Sequence, residues 1–144
     1  MEVKTVGVAC DHAGYPLKKY VLQYLEEHGY PYNDYGTWSD ASVDYPDFGH
    51  ALAEGIESGE VYPGIAICGS GEGINITLNK HQQVRAGLCW IPEVAHLIRH
   101  TTTPMSWSCL VVSLTTRWQA RSWTSSSQLP SRVVVTRNVL TRLR

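Results

Sequence analysis

The stretch Gly64 to Lys80, GIAICGSGEGINITLNK, decides the fold. Its first part, GIAIC, is an uninterrupted apolar run bounded by turn residues, the pattern of a strand buried on both faces. The glycines of GSGEG turn the chain, and the segment from Ile74 to Lys80 reads as a helix. Working outward, the same unit recurs on both sides. Val3 to Ala9 (VKTVGVA) is an apolar, β-branched run that ends at CDHAG. Pro16 then opens a helix with Leu17, Tyr20, Val21, Tyr24 and Leu25 at i, i+3, i+4, i+7 and i+8. Gly29 supplies its stop, and Tyr30 to Tyr35 reads as a short strand. A loop follows, then a helix from about Pro46 to Glu57 and a turn at Ser58-Gly59. Beyond the central stretch, Val84 to Cys89 is predicted as a strand and Pro92 to Arg99 as a helix. Alternating strand and helix with strands apolar throughout implies an α/β domain, a parallel sheet covered by helices on both faces.

The chain has 144 residues, 43% hydrophobic and 10% aromatic, with 12 glycines, enough apolar surface for one domain spanning 1–144. Collagen-like, disordered and disulfide-knot classes are excluded by this composition. No apolar run is long enough to span a membrane, and the start, MEVKTVGVACDHAG, lacks a basic segment followed by a long apolar one. A cytoplasmic protein with no membrane partner is the expectation. Cys10, Cys68, Cys89 and Cys109 stand apart, without the CxxC pairs of a zinc site, so no metal is expected and the thiols are read as reduced.

In a sheet of this kind ligands bind beyond the carboxyl ends of the strands, at the topological switch point. Two clusters lie there, Asp11-His12 after the first strand and Cys68 to Gly73 after the third. The glycine loop lets backbone N–H groups converge at the start of a helix, a site suited to an oxyanion or phosphate. The same field would lower the pKa of Cys68, making it a thiolate base or nucleophile. The residues equally fit a small buried cysteine and a tight turn. A dinucleotide fingerprint is discounted, because its glycines would follow the first strand. Asp11 and His12 read either as a helix N-terminal acid and a surface histidine, or as a hydroxyl acceptor and a proton carrier beside the thiol. Tyr45 reads as a packed loop aromatic, Arg85 as a strand-end charge, and His50, His81 and His96 as solvated.

ACDHAG, GTWSDASVDYPDFG, ICGSGEGINITLNK and VRAGLC, in that order over residues 3–99, resemble the ribose-5-phosphate isomerase type B / galactose-6-phosphate isomerase family. The resemblance implies a Rossmann-like three-layer α/β/α sandwich with a parallel sheet of about five strands. It also implies a homodimer with active sites between subunits and cofactor-free, metal-free isomerisation of a phosphorylated sugar through a cis-enediolate. Ribose 5-phosphate and ribulose 5-phosphate are the expected pair. By position, Cys68 matches the family's general base and Ser70 a residue linked to ring opening. Gly69, Gly71 and Gly73 lie in the loop whose amides hold the enediolate oxygen. Asp11 and His12 match sugar contacts, and Tyr45 lies in the family's DYPD segment. Glu72 stands where the family is usually uncharged, as a rival base or as an acid favoured in a first helical turn. His100 lies one place early for the family's catalytic histidine.

The resemblance stops after Arg99, where the charge pattern also breaks. Residues 1–93 hold all 13 acids and five Lys and Arg, and residues 94–144 hold no acid and seven Arg. Family members continue with QHNDANV, LPGRF and a phosphate-binding GGRHxxR run; this chain reads HTTTPMSWSCLVV. Read one base out of register, the codons of His100 to Met105 permit His-Asn-Asp-Ala-Asn, and those of Ser108 to Ser113 permit Leu-Pro-Gly-Arg-Phe. Those of Ser126 to Val139 permit a run that ends Gly-Gly-Arg-His-Ala-Lys-Arg-Val. Residues 101–144 are therefore read as an out-of-frame tail, which removes the phosphate arginines; Arg132 and Arg137 are not assigned to that role. A basic nucleic-acid-binding tail is the competing reading, set aside because the arginines are scattered and no binding module is recognisable, so no nucleic-acid partner is expected. Met105 to Leu114 is still apolar enough to serve as a fifth strand, and short or irregular helices are expected over 115–144. The alternative to an isomerase is a non-catalytic phosphosugar- or nucleotide-binding module, or an isomerase homologue inactivated by its tail.

Overall fold

The computed structural model describes residues 4–90, 93, 94, 97, 98 and 109–115. Strand β1 (Val6–Cys10) leads to helix α1 (Tyr15–Glu27), β2 (Tyr32–Asp34), α2 (Tyr45–Glu57), β3 (Gly64–Cys68), α3 (Glu72–Asn79), β4 (Val84–Cys89) and β5 (Cys109–Thr115). All pairings are parallel, in the order β2-β1-β3-β5-β4. The predicted α/β class holds, and so does a fifth strand within the apolar run around residues 109–114.

Alternation along the strands explains the two covering layers. Val6, Val8 and Cys10 of β1 and Ile65 and Ile67 of β3 face α1, whose Leu17, Val21, Tyr24 and Leu25 complete that core. Ala9, Ala66 and Cys68 point the other way, onto Leu52, Ala53 and Ile56 of α2 and Ile74 and Leu78 of α3. Because successive strand side chains take opposite faces, every residue of β1 and β3 is buried. Large side chains serve the α1 face and small ones the α2 and α3 face, which lets those helices sit close to the sheet.

Local signals set the element ends. Pro16 stands in the first turn of α1, where its missing N–H costs no helix bond. Gly29, at φ 72°, reverses the chain after α1, with Tyr30 N–H bonded back to the Leu25 carbonyl. Helix α3 begins at Glu72, two residues before the expected start. Gly71 adopts the left-handed φ of 78° as its N-cap, so the loop itself supplies the first helical turn. Strand β2 is shorter than expected, pairing with β1 only over Tyr32 to Asp34. Of the helix expected at 92–99, Glu93, Val94, Leu97 and Ile98 are helical. The expectation for residues beyond Thr115 lies outside the described residues. No helix among the described residues is long and apolar enough to cross a membrane.

Candidate active site

The sheet order sends the chain from β1 outward to β2 on one side and places β3 on the other. The loops after β1 and β3 therefore diverge from neighbouring strand ends, the crevice in which such sheets bind ligands. Backbone contacts draw the two loops together. Asp11 N–H donates to the Ile67 carbonyl at 3.1 Å. Gly14 crosses so near that a Cβ there would stand 2.6 Å from the Ile67 carbonyl oxygen.

Asp11 is buried, 6% exposed, and its Oδ1 accepts the Gly14 N–H at 2.8 Å, which fixes the turn into α1. Cys68, at the tip of β3 and 5% exposed, lies beside that carboxylate and receives the amides of Ser70 and Gly71. These influences oppose one another. Burial pushes the thiol up most, the Asp11 carboxylate pushes it further, and the two amides pull it down. The net direction is upward, which corrects the sequence expectation of a lowered thiol pKa. The helix-start amides do reach the sulfur, but desolvation and an acidic neighbour, neither visible in a local motif, outweigh them.

His12 is held from outside the loop, its Nδ1 accepting the Val43 N–H at 3.2 Å. The same Nδ1 lies 3.3 Å from the Val43 carbonyl oxygen, so the Val43 backbone holds this edge of the ring in either tautomer and leaves Nε2 for a ligand. Ser70 is exposed and its Oγ accepts the Glu72 N–H at 3.3 Å, so its own O–H remains to be donated. Tyr45 opens α2 and lays its ring over the glycine loop; a Cβ on Gly73 would stand 2.6 Å from Tyr45 Cζ. Tyr45 therefore lies against the loop. Glu72 is exposed in the first turn of α3. The structure thus gathers Asp11, His12, Tyr45, Cys68, Gly69, Ser70, Gly71, Glu72 and Gly73 at one end of β1 and β3. His100 and His96 lie outside the described residues. Among the described residues no group of three or more His, Cys, Asp or Glu is arranged to hold a metal ion.

Two findings lie away from these loops. His81 is not merely solvated: its Nδ1 meets Glu57 Oε2 at 2.9 Å and its Nε2 meets His50 Nδ1 at 2.8 Å. Lys18 is a candidate that sequence reasoning missed. It lies three residues before Val21 and seven before Leu25, on the buried face of α1, and the available signal is a lysine at a helix-core position.

Cys10, Cys68 and Cys89 are free thiols, and burial raises Cys10 and Cys89 from 9.0 to about 12. Neutral iodoacetamide should accordingly alkylate Cys68 more slowly than an unstructured cysteine, and Cys10 and Cys89 only on unfolding, as read by peptide mass spectrometry. The sign for stability follows. A raised folded pKa makes the native state the better proton holder above the unfolded value, so this contribution is whole below pH 9.0 and fades toward about 12. Urea midpoints should fall across that window; a flat profile would mean the thiols are not buried as described.

The family profile described as Ribose/Galactose Isomerase matches residues 6–118. The chain is 39% identical over 114 residues to ribose-5-phosphate isomerase B of Escherichia coli strain K12, covering 78% of this chain and 76% of that protein. Two further curated relatives are covered over only 48% and 62% of their length. Among solved structures, ribose 5-phosphate isomerase from Thermotoga maritima aligns with a TM-score of 0.78 at 31% identity, covering 97% of this chain and 88% of that one. Ribose-5-phosphate isomerase B from Mycoplasma genitalium, solved with bound ribulose 5-phosphate, aligns at 0.76 and 28% identity, covering 94% and 82%.

Proposed function

The chain belongs to the ribose/galactose isomerase family, whose members are sugar-phosphate isomerases, and on that premise we propose that it interconverts ribose 5-phosphate and ribulose 5-phosphate as a homodimer. The observation that carries this reading is Cys68, set at the strand tip between the Asp11 carboxylate and the amides of the glycine loop. Moving a proton between adjacent sugar carbons requires a base and fixed donors for the oxygen that becomes negative, and these groups supply both.

In this mechanism Ser70, with His100 by its place in the sequence, assists opening of the sugar ring, and Asp11, His12 and Tyr45 hold the open chain. Cys68 as thiolate takes the proton from C2 of the aldose. The electron pair forms the C1–C2 double bond and charge moves to O1, where the amides of Gly69 to Gly73 receive it. Cys68 returns the proton to C1 while the O2 hydroxyl proton passes to O1, leaving the ketose carbonyl at C2. Glu72, exposed at the helix start, is the rival base.

The raised thiol has a consequence for the order of events. A sugar hydroxyl that donates to Asp11 competes for the carboxylate and weakens one of the two influences that push the thiol up. Substrate binding thereby favours the thiolate that the reaction needs.

The test is incubation with ribose 5-phosphate in D₂O, using this chain and a version with the reading frame restored after Arg99. The expected result is ribulose 5-phosphate carrying solvent deuterium at C1, faster with the restored frame because the family's phosphate arginines return. Calorimetric binding of the sugar phosphate by both proteins, with no ketose and no exchange from either, would instead identify a binding module.

A further inference from the structure

Lys18 is the most deeply buried charge among the described residues, 1% exposed, and no step of the proposed reaction uses it. Its Nζ donates to Asp34 Oδ1 at 2.6 Å and to the Thr37 carbonyl at 2.5 Å. The rings of Trp38 and Tyr15 stand 5.8 and 5.9 Å from the ammonium, within the reach of a cation–π contact. A carboxylate, a carbonyl and two ring faces thus replace the water this ammonium lost, which is the condition for keeping a charge inside a protein.

The hydrogen-bond partners of Lys18 belong to one short segment. Asp34 Oδ1 also accepts the Gly36 N–H at 2.9 Å. On either side of the next peptide, Cys10 N–H donates to the Gly36 carbonyl at 2.6 Å and Thr37 N–H donates to the Cys10 carbonyl at 2.8 Å. The segment is therefore stitched to the last residue of β1, immediately before Asp11. It continues to Val43, whose N–H holds His12 Nδ1, and enters α2 at Tyr45. Residues 38–42 form no regular element, so the Lys18 anchor and the backbone bonds to Cys10 together fix this stretch at its start.

We propose that Lys18 is a positioning residue of the candidate site: its buried ammonium helps fix the segment from Asp34 to Val43 and, through the Val43 backbone, sets the orientation of His12. Lys18 does not touch the sugar and acts only through this segment. The inference rests on the isomerase reading for its kinetic meaning alone, since the hydrogen bond it predicts exists without substrate.

The experiment uses the full chain labelled with ¹⁵N and reads the ring nitrogens of His12 by long-range ¹H–¹⁵N correlation, with Val43 amide exchange measured on the same samples. In the unaltered chain His12 should show a single tautomer, the one its fixed contact with the Val43 backbone selects. Lys18→Met keeps length and apolar stem but donates nothing. Its expected result is averaged His12 ring shifts, as in a solvated histidine, and a Val43 amide exchanging roughly tenfold faster, the loss of one hydrogen bond. His81, tied to Glu57 on α2, is the internal control and should keep its pattern. Where Lys18→Met fails to fold, Asp34→Asn keeps the packing, weakens the same anchor and should move His12 in the same direction. A folded variant in which His12 keeps its single tautomer and Val43 its protection overturns the proposal. Absence of turnover on any sugar phosphate leaves this readout untouched, so the two failures are separable.

Discussion

Cys68→Ala in the frame-restored protein should lower the rate of ribose 5-phosphate isomerisation by about 10²–10⁴-fold, the contribution expected of a positioned general base. The effect should fall on kcat rather than on KM, because in the proposed reaction the sulfur moves a proton in the transition state while Asp11, His12 and Tyr45 carry the binding. Deuterium exchange at the sugar carbons should be lost in parallel, since the same group removes and returns the proton. The fold should survive. Cys68 is a small residue on the face of β3 that meets Ile74 and Leu78, and alanine already occupies position 66 on that face. Melting and calorimetric binding of the sugar phosphate are the controls. Undiminished turnover in a folded Cys68→Ala protein would exclude the thiol as base and turn attention to Glu72, the exposed acid at the helix start.

The second large effect lies in the core under α2. Leu52 is fully buried, and its Cδ1 occupies space that Gly7 leaves open: a Cβ on Gly7 would stand 2.6 Å from it and 2.7 Å from Val61 Cγ2. Leu52→Ala should cost about 2–5 kcal/mol, through lost burial and the cavity left behind. Gly7→Ala should cost about 1–3 kcal/mol, because the added methyl has to push aside packed side chains. Combined, the two should cost less than their sum, since the methyl added at Gly7 fills part of the hole that Leu52 vacates. Urea unfolding of the two single variants and the double variant measures this directly. Strict additivity would mean that α2 shifts to accommodate each change, and that the close approach of helix to strand is not tightly set.

Much of the site was legible because its chemistry is written in short local runs. CDHAG and CGSGEG each follow a strand-like stretch, and alternating strands and helices place both at one end of a parallel sheet. Tyr45 was legible only through the family segment around it, and its packing against Gly73 was not. The Cys68 thiol illustrates why. A motif shows the amides that lower its pKa, while the burial that raises it comes from α2 and α3 packed on the sheet and the Asp11 carboxylate from a loop more than fifty residues earlier. The His50–His81–Glu57 chain was hidden for the same reason, since each histidine alone looks solvated and only the packing of α2 beside the turn after α3 joins them.

The sequence by itself determined the alternation of strand and helix, the double burial of β1 and β3, and the residues available for chemistry, because these follow from periodicity and from glycine and proline acting over a few residues. It also showed the change in charge pattern, all 13 acids in residues 1–93 and none in 94–144. Only the tertiary structure decided the order β2-β1-β3-β5-β4, which opens the crevice between the loops after β1 and β3. It also decided the upward shift of Cys68 and the burial of Lys18, whose partners Asp34 and Thr37 lie outside its own helix. Electrostatic and desolvation energies depend on distance in space, and folding sets those distances between residues that the chain keeps far apart.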